Sequence, residues 1–254
     1  MAGGTCADEG WDYVFSFPPN NKFTPDWDQA AVRSHRNPGV AFKAAYQLCG
    51  YGFEPHFSGA DNHIMLDIGA NIGQTLFNYY SRGWRVVAFE PVPENVDTIC
   101  RNIFINGVTS DRIALVGGAG SNFSRFVEID TSRGWSDSTS ISQKGVAGWK
   151  TKVDVHNVTT IAVDDYIDNA KSINFRNKIM FVKIDTQGHE LSVLQGMKKF
   201  LSNPPTVEDL GGWSFIVKAE YSVKLQKDSG HRPNDMLDFM RGMGYEVRCI
   251  ISED

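Results

Sequence analysis

Residues Ile64 to Leu66 form a short apolar run that ends at Asp67, passes through Ile68-Gly69-Ala70-Asn71-Ile72-Gly73, and enters a segment whose apolar residues Leu76, Phe77 and Tyr80 recur at helical spacing. A buried strand, a tight ligand-binding turn and a helix satisfy that pattern. A second apolar run, Arg85 to Phe89, stops at Glu90-Pro91, about twenty residues beyond the turn, where open α/β domains place an acid that accepts hydrogen bonds from ribose hydroxyls. Together the two segments predict a bound adenosyl group.

The order of the glycines narrows the ligand. A dinucleotide turn, G-x-G-x-x-G, keeps acids away and aims a helix N-terminus at a pyrophosphate, whereas Asp67 here stands directly before Ile68-Gly69. A carboxylate in that place would repel a pyrophosphate and suits a ligand with a cationic amino-acid end. S-adenosylmethionine, with an ammonium and a sulfonium where NAD has phosphates, fits that requirement. Asp67, Gly69, Ala70, Asn71 and Gly73 are the expected holders of its methionine end, and Glu90 and Pro91 of its ribose. Gly118 and Ala119, after the apolar run Ile113 to Val116, are small enough to admit an adenine ring close to the backbone.

Three segments, Asp67 to Gly73, Phe89-Glu-Pro-Val-Pro93 and Lys183-Ile-Asp-Thr-Gln-Gly-His-Glu190, resemble in order the signatures of the FkbM family of S-adenosylmethionine-dependent O-methyltransferases, and the likeness spans roughly residues 60 to 250. The third departs from the family: Thr186-Gln187 stands where Val-Glu is usual, which removes one carboxylate. The resemblance implies an enzyme that moves a methyl group onto a hydroxyl of a small molecule or glycan, a sugar hydroxyl being favoured. A non-catalytic S-adenosylmethionine- or glycan-binding module and an NAD-linked oxidoreductase are the competing readings.

Apolar periodicity fills in the rest. The helix Pro93 to Asn106 shows one stripe (Val96, Ile99, Cys100, Ile103, Phe104), Asn122 to Asp130 alternates as an extra strand, and Val158 to Val163 leads to a short helix opening with Asp164-Asp165. Strands Ile179 to Ile184 and Phe215 to Ala219 flank a helix bearing Leu191, Leu194, Met197 and Leu201. A helix with Met236, Phe239, Met240 and Met243 on one side precedes a final strand, Tyr245 to Ile251. Those methionines read as core packing. Alternating strands and helices imply an α/β fold: a doubly wound, mostly parallel sheet of Rossmann-like methyltransferase type over residues 61–254. Residues 1–60, rich in aromatics and prolines, read as an N-terminal cap on the substrate side. Residues 131 to 152 read as a loop over the acceptor, with Trp135, Ser136 and Trp149 as its contacts.

Composition sets limits. At 254 residues and 41% hydrophobic content the chain can bury one sizeable core, and 25 basic against 30 acidic side chains, without a basic run, give a nucleic-acid partner no electrostatic support. No apolar run approaches the roughly 18 residues of a membrane span, so no membrane insertion is expected. The chain reads as soluble, with the cytoplasm as default and a secretory lumen if an anchor has been removed. Cys100 and Cys249 fall on apolar faces and read as free core thiols.

In an open α/β sheet the chemistry collects at the carboxyl ends of the strands, so Asp67, Glu90, Asp185 and Glu220 should share one rim. Asp185 would face the acceptor. His189 has the side chain whose ordinary pKa best suits a general base. Asp185 and Glu220 together could hold a divalent cation or orient the acceptor hydroxyl directly, while Lys183, within its strand, reads as half of a structural ion pair.

Overall fold

A computed structural model of the protein describes residues 13–17, 63–81, 83–105, 112–132, 153–170 and 174–250. Strand β1 (Tyr13–Phe17) comes first. After it run β2 (Ile64–Ile68), α1 (Gln74–Ser81), β3 (Arg85–Phe89), α2 (Pro93–Ile105), β4 (Ile113–Val116), β5 (Ala119–Ser121) and β6 (Arg125–Ser132). The second half contains β7 (Val153–Ala162), α3 (Val163–Asn169), β8 (Ile179–Ile184), α4 (Glu190–Gly196), α5 (Lys198–Ser202), β9 (Ile216–Glu220), α6 (Val223–Asp228), α7 (Asp235–Gly242) and β10 (Glu246–Ile250).

Among the described residues seven strands form the central sheet in the order β10-β1-β9-β8-β2-β3-β4, and β5-β7-β6 form a smaller one. The run β9-β8-β2-β3-β4 is parallel, as the alternation of strands and helices requires. Every residue of β2, β3 and β8 is buried, because helices cover both faces. Ile64, Leu66 and Ile68 pack with Leu191, Leu194, Met197, Met236 and Met240 on one face. Met65 and Val86 pack with Leu76, Phe77, Val96 and Ile99 of α1 and α2 on the other. The sheet is therefore doubly wound, and Met236 and Met240 are core.

Three sequence expectations need correction. Tyr13–Phe17, assigned to the cap, is instead a strand of the central sheet, antiparallel to both β9 and β10. The extra strand expected over Asn122 to Asp130 is present as β6, which starts at Arg125 after a bend at 122–124 that separates it from the short β5. The helix expected through Leu191 to Leu201 breaks at Met197 into α4 and α5. Just before that break Gly196 passes so close to β5 that a Cβ on it would lie 1.8 Å from the Ser121 carbonyl oxygen. The other cap residues, and Trp135, Ser136 and Trp149, lie outside the described residues. Cys100 is disulfide-bonded rather than a free thiol.

Candidate functional site

Parallel register builds the site in three rows across one face of the sheet. Met65, Phe181 and Ile216 pair across β2, β8 and β9 as an apolar row. Two residues further along, Asp67, Lys183 and Lys218 pair as a buried charged row. The third row follows Phe89, Ile68, Ile184 and Ala219, which are themselves in register, and comprises Glu90, Gly69, Asp185 and Glu220. It lies where β2 and β8 meet, the point at which the chain's crossovers run one way to β3 and β4 and the other way to β9. That is the switch point at which open α/β sheets receive ligands.

Glu90, Asp185 and Glu220 thus share the expected rim, but Asp67 lies one row below it. Its side chain is fully buried, 3.3 Å from Lys183 Nζ, and completes no hydrogen bond. Lys183 Nζ also donates to the Gly69 carbonyl at 2.7 Å and lies 3.5 Å from Asp185. Burial opposes its charge, yet the two flanking carboxylates hold the Lys183 pKa above its ordinary value. The structural ion pair read for Lys183 is present. Burial raises the Asp67 pKa against the pull of Lys183, and burial beside Lys183 lowers that of Lys218 to about 8.

The glycine turn is tied to β3 by its own amides. Gly69 and Ala70 donate to the Phe89 carbonyl, each at 3.0 Å, and the Asn71 amide donates to Glu90 Oε2 at 2.7 Å. Glu90 Oε1 accepts from the Val92 amide at 3.0 Å and from Asn95 Nδ2 at 3.1 Å. Burial still pushes the Glu90 pKa up to about 7. Three of the roughly four acceptor positions of this carboxylate are filled by the protein, which leaves about one for a ligand hydroxyl. Gly69 has φ +85°, and a Cβ on it would lie 1.9 Å from the Asp185 carbonyl oxygen, so only glycine allows β2 and β8 to meet here. Gly118 and Ala119 are buried at the start of β5, and a Cβ on Gly118 would come within 2.8 Å of the Thr159 carbonyl oxygen.

Asp185 and Glu220 are joined through Gln187. Its Nε2 donates to Asp185 Oδ1 at 3.0 Å and to Glu220 Oε2 at 2.8 Å. Burial, with the Asp185 and Glu190 charges nearby, raises the Glu220 pKa well above the carboxylate range. The turn carrying Gln187 is held from below by Glu190, whose carboxylate accepts the Thr186 and Gly188 amides at 2.9 and 3.0 Å and Gln226 Nε2 at 3.0 Å. Gln187 itself sits at φ +53°. Among the described residues no group of three or more His, Cys, Asp or Glu is arranged to hold a metal ion, and a cation between Asp185 and Glu220 would have to displace the Gln187 amide.

His189, just before α4, lies against β5, its Nε2 3.0 Å from Ser121 Oγ. The Ser121 hydroxyl donates weakly to Asn122 Oδ1 at 3.4 Å, and Asn122 Nδ2 donates to Gln195 Oε1 at 3.1 Å. The His189 tautomer sets the direction of the Ser121 contact: a ring protonated on Nδ1 accepts from the Ser121 hydroxyl, and one protonated on Nε2 donates to it. Burial, with His231 nearby, lowers the His189 pKa to about 4, so the ring is neutral at pH 7. Sequence reasoning missed Gln187 as a bridge, Ser121 as the partner of His189 and Asn95 as a support of Glu90. Two of these had a local signal: Gln187 stood out as a departure from a motif, and Asn95 follows Glu90 by five residues in the first turn of α2.

An open α/β domain with a ligand turn at its switch point and an acid ending the next strand is the class that this geometry defines. The model of the methyltransferase FkbM domain matches residues 67–247. The chain belongs to the FkbM methyltransferase family. It is also similar to the crystal structure of methyltransferase FkbM from Methylobacillus flagellatus KT, at 21% identity and a TM-score of 0.43, over 74% of this chain and 38% of that one. The chain thus spans well under half the length of that structure. No match was found among curated proteins. Among the described residues no helix is long and apolar enough to cross a membrane.

Proposed function

We propose that this protein transfers a methyl group from S-adenosylmethionine to a hydroxyl of a small molecule or glycan, a sugar hydroxyl being the favoured acceptor. The observation behind this reading is the rim row Glu90, Gly69, Asp185 and Glu220 at the meeting of β2 and β8, in a chain of the FkbM methyltransferase family. The donor set fits the cofactor: one open acceptor position on Glu90 for a ribose hydroxyl, and a turn that presents an ion-paired acid in place of a phosphate cradle. Asn71 and Gly73 would border its methionine end, with Asp67 acting from beneath through Lys183 rather than by contact. Gly118 and Ala119 would lie at the adenine.

The bound cofactor supplies a methyl group already activated on sulfur. The protein's share is alignment and removal of a proton. Asp185, one-fifth exposed beside Gln187, can accept a hydrogen bond from the acceptor hydroxyl. His189, whose ring is neutral at pH 7, can take the proton through its unprotonated nitrogen. Trp135, Ser136 and Trp149, outside the described residues, are kept in the proposal as acceptor contacts.

Mass-spectrometric screening of methyl transfer onto panels of sugars, glycosides and phenols tests this reading. A methylated hydroxyl product that disappears in Asp185→Asn supports it. Cofactor binding with no transfer to any panel member would favour a non-catalytic binding module.

A further inference from the structure

Two carboxylates at the end of neighbouring parallel strands repel each other and need something positive or proton-donating between them. Metal ions commonly meet that need in sites built of oxygen ligands. Here the Gln187 amide meets it, with one N–H directed to Asp185 Oδ1 at 3.0 Å and the other to Glu220 Oε2 at 2.8 Å. The amide is not there by chance of a flexible side chain. Its backbone is held at φ +53°, a left-handed conformation that a side chain disfavours. The buried Glu190 carboxylate fixes the turn on either side through the Thr186 and Gly188 amides, and Gln226 fixes Glu190.

We propose that Gln187 is the positioning residue of this rim: its neutral amide stands where a divalent cation would stand, holding Asp185 and Glu220 together as a metal-free pair that faces the acceptor. The proposal rests on the reading of Asp185 and Glu220 as acceptor-facing groups. Each carboxyl group spends one oxygen on the amide. Lys183, 3.5 Å from Asp185, supplies positive charge from the Asp67 side, so the amide need only bridge and orient. Gln187→Glu would set a third carboxylate beside the pair in place of the bridging amide donor, which is the composition of an oxygen-ligand cation site.

The test is a calorimetric titration of Mn²⁺ into the wild-type chain, Gln187→Glu and Gln187→Gly, with S-adenosylhomocysteine titrated in parallel. Gln187→Gly covers the case in which the glutamate variant does not fold, because glycine adopts the positive φ without strain. The wild type should take up no Mn²⁺ at this site. Gln187→Glu should bind it at least tenfold more tightly than the wild type, and Asp185→Asn added to that variant should abolish the gain. Gln187→Gly should show a smaller gain in the same direction. S-adenosylhomocysteine affinity should stay within about twofold throughout, because Glu90 and the glycine turn are untouched. Mn²⁺ binding by the wild type that Asp185→Asn removes, or no gain in either variant, overturns the proposal. Failure of the wild type to bind S-adenosylhomocysteine would instead count against the proposed function and leave the cation result to be judged by itself.

Discussion

Cofactor affinity should depend on pH through Glu90. A ribose hydroxyl donates its hydrogen bond, so it needs the ionised carboxylate, and burial places the Glu90 pKa at about 7. Between pH 8 and pH 6 the ionised fraction falls from roughly nine-tenths to about one-tenth, and the apparent dissociation constant should rise about tenfold, or ~1.4 kcal/mol. Only one acceptor position remains open on this carboxylate, so the lost contact is a single hydrogen bond to a charged group, for which roughly 1.5–3 kcal/mol is the usual range. The two figures are compatible. Stability runs the other way: the folded pKa is raised from 4.5, so the contribution of this residue is complete below pH 4.5 and is lost as pH rises through about 7, by about 3 kcal/mol. Calorimetry with S-adenosylhomocysteine at pH 6, 7 and 8 reads the affinity, with Glu90→Gln, which does not ionise, as the control. Lys218 also titrates, near pH 8, but it does so in both proteins and cancels. A flat affinity in the wild type, or the same slope in Glu90→Gln, would refute the reasoning.

Other perturbations test other parts. Lys183→Met leaves the buried Asp67 carboxylate without its partner and should cost about 3–5 kcal/mol in urea unfolding near neutral pH; a loss under 1 kcal/mol would mean that Asp67 is neutral in the fold. Gly69→Ala meets both a positive φ and the Asp185 carbonyl and should lower the unfolding midpoint by the equivalent of ~3 kcal/mol or more. His189→Ala should cut turnover by about 10² while sparing S-adenosylhomocysteine affinity. Because burial holds the ring pKa at about 4, the wild-type rate should show no decline assignable to His189 between pH 8 and 6; a His189-dependent inflection near pH 6.5 would show that the ring is solvated.

Much of the fold is written in short-range pattern. Apolar runs of strand length mark β2 to β4 and β8 to β9, and helical stripes follow all of these but β4, because period and length are local properties. Tyr13–Phe17 escaped for the opposite reason: its partners lie more than 200 residues away, and its neighbours in sequence are prolines, glycines and aromatics that resemble a loop. The rim was legible since a strand that ends in an acid shows its last residue plainly. Its depth was not. Asp67 stands two residues before Gly69, yet register matches it to Lys183 rather than to Asp185, and only the pairing of β2 with β8 fixes that. Gln187 was visible as a departure from a motif, but its second partner, Glu220, is 33 residues on and reaches it through the packing of β8 against β9. The disulfide at Cys100 left no trace in spacing, for four scattered cysteines fit a buried stripe as well as a bridge.

The central claim is that the turn from Asp67 to Gly73 and the acid Glu90 together select an adenosyl methyl donor over a dinucleotide. Titration of the wild-type chain at pH 8 with S-adenosylmethionine, S-adenosylhomocysteine and NAD, each followed by calorimetry, measures that choice directly. Saturable binding of both methionine derivatives, weakened in Glu90→Ala, with no heat from NAD, is the predicted result. Binding of NAD with no response to either methionine derivative would contradict it.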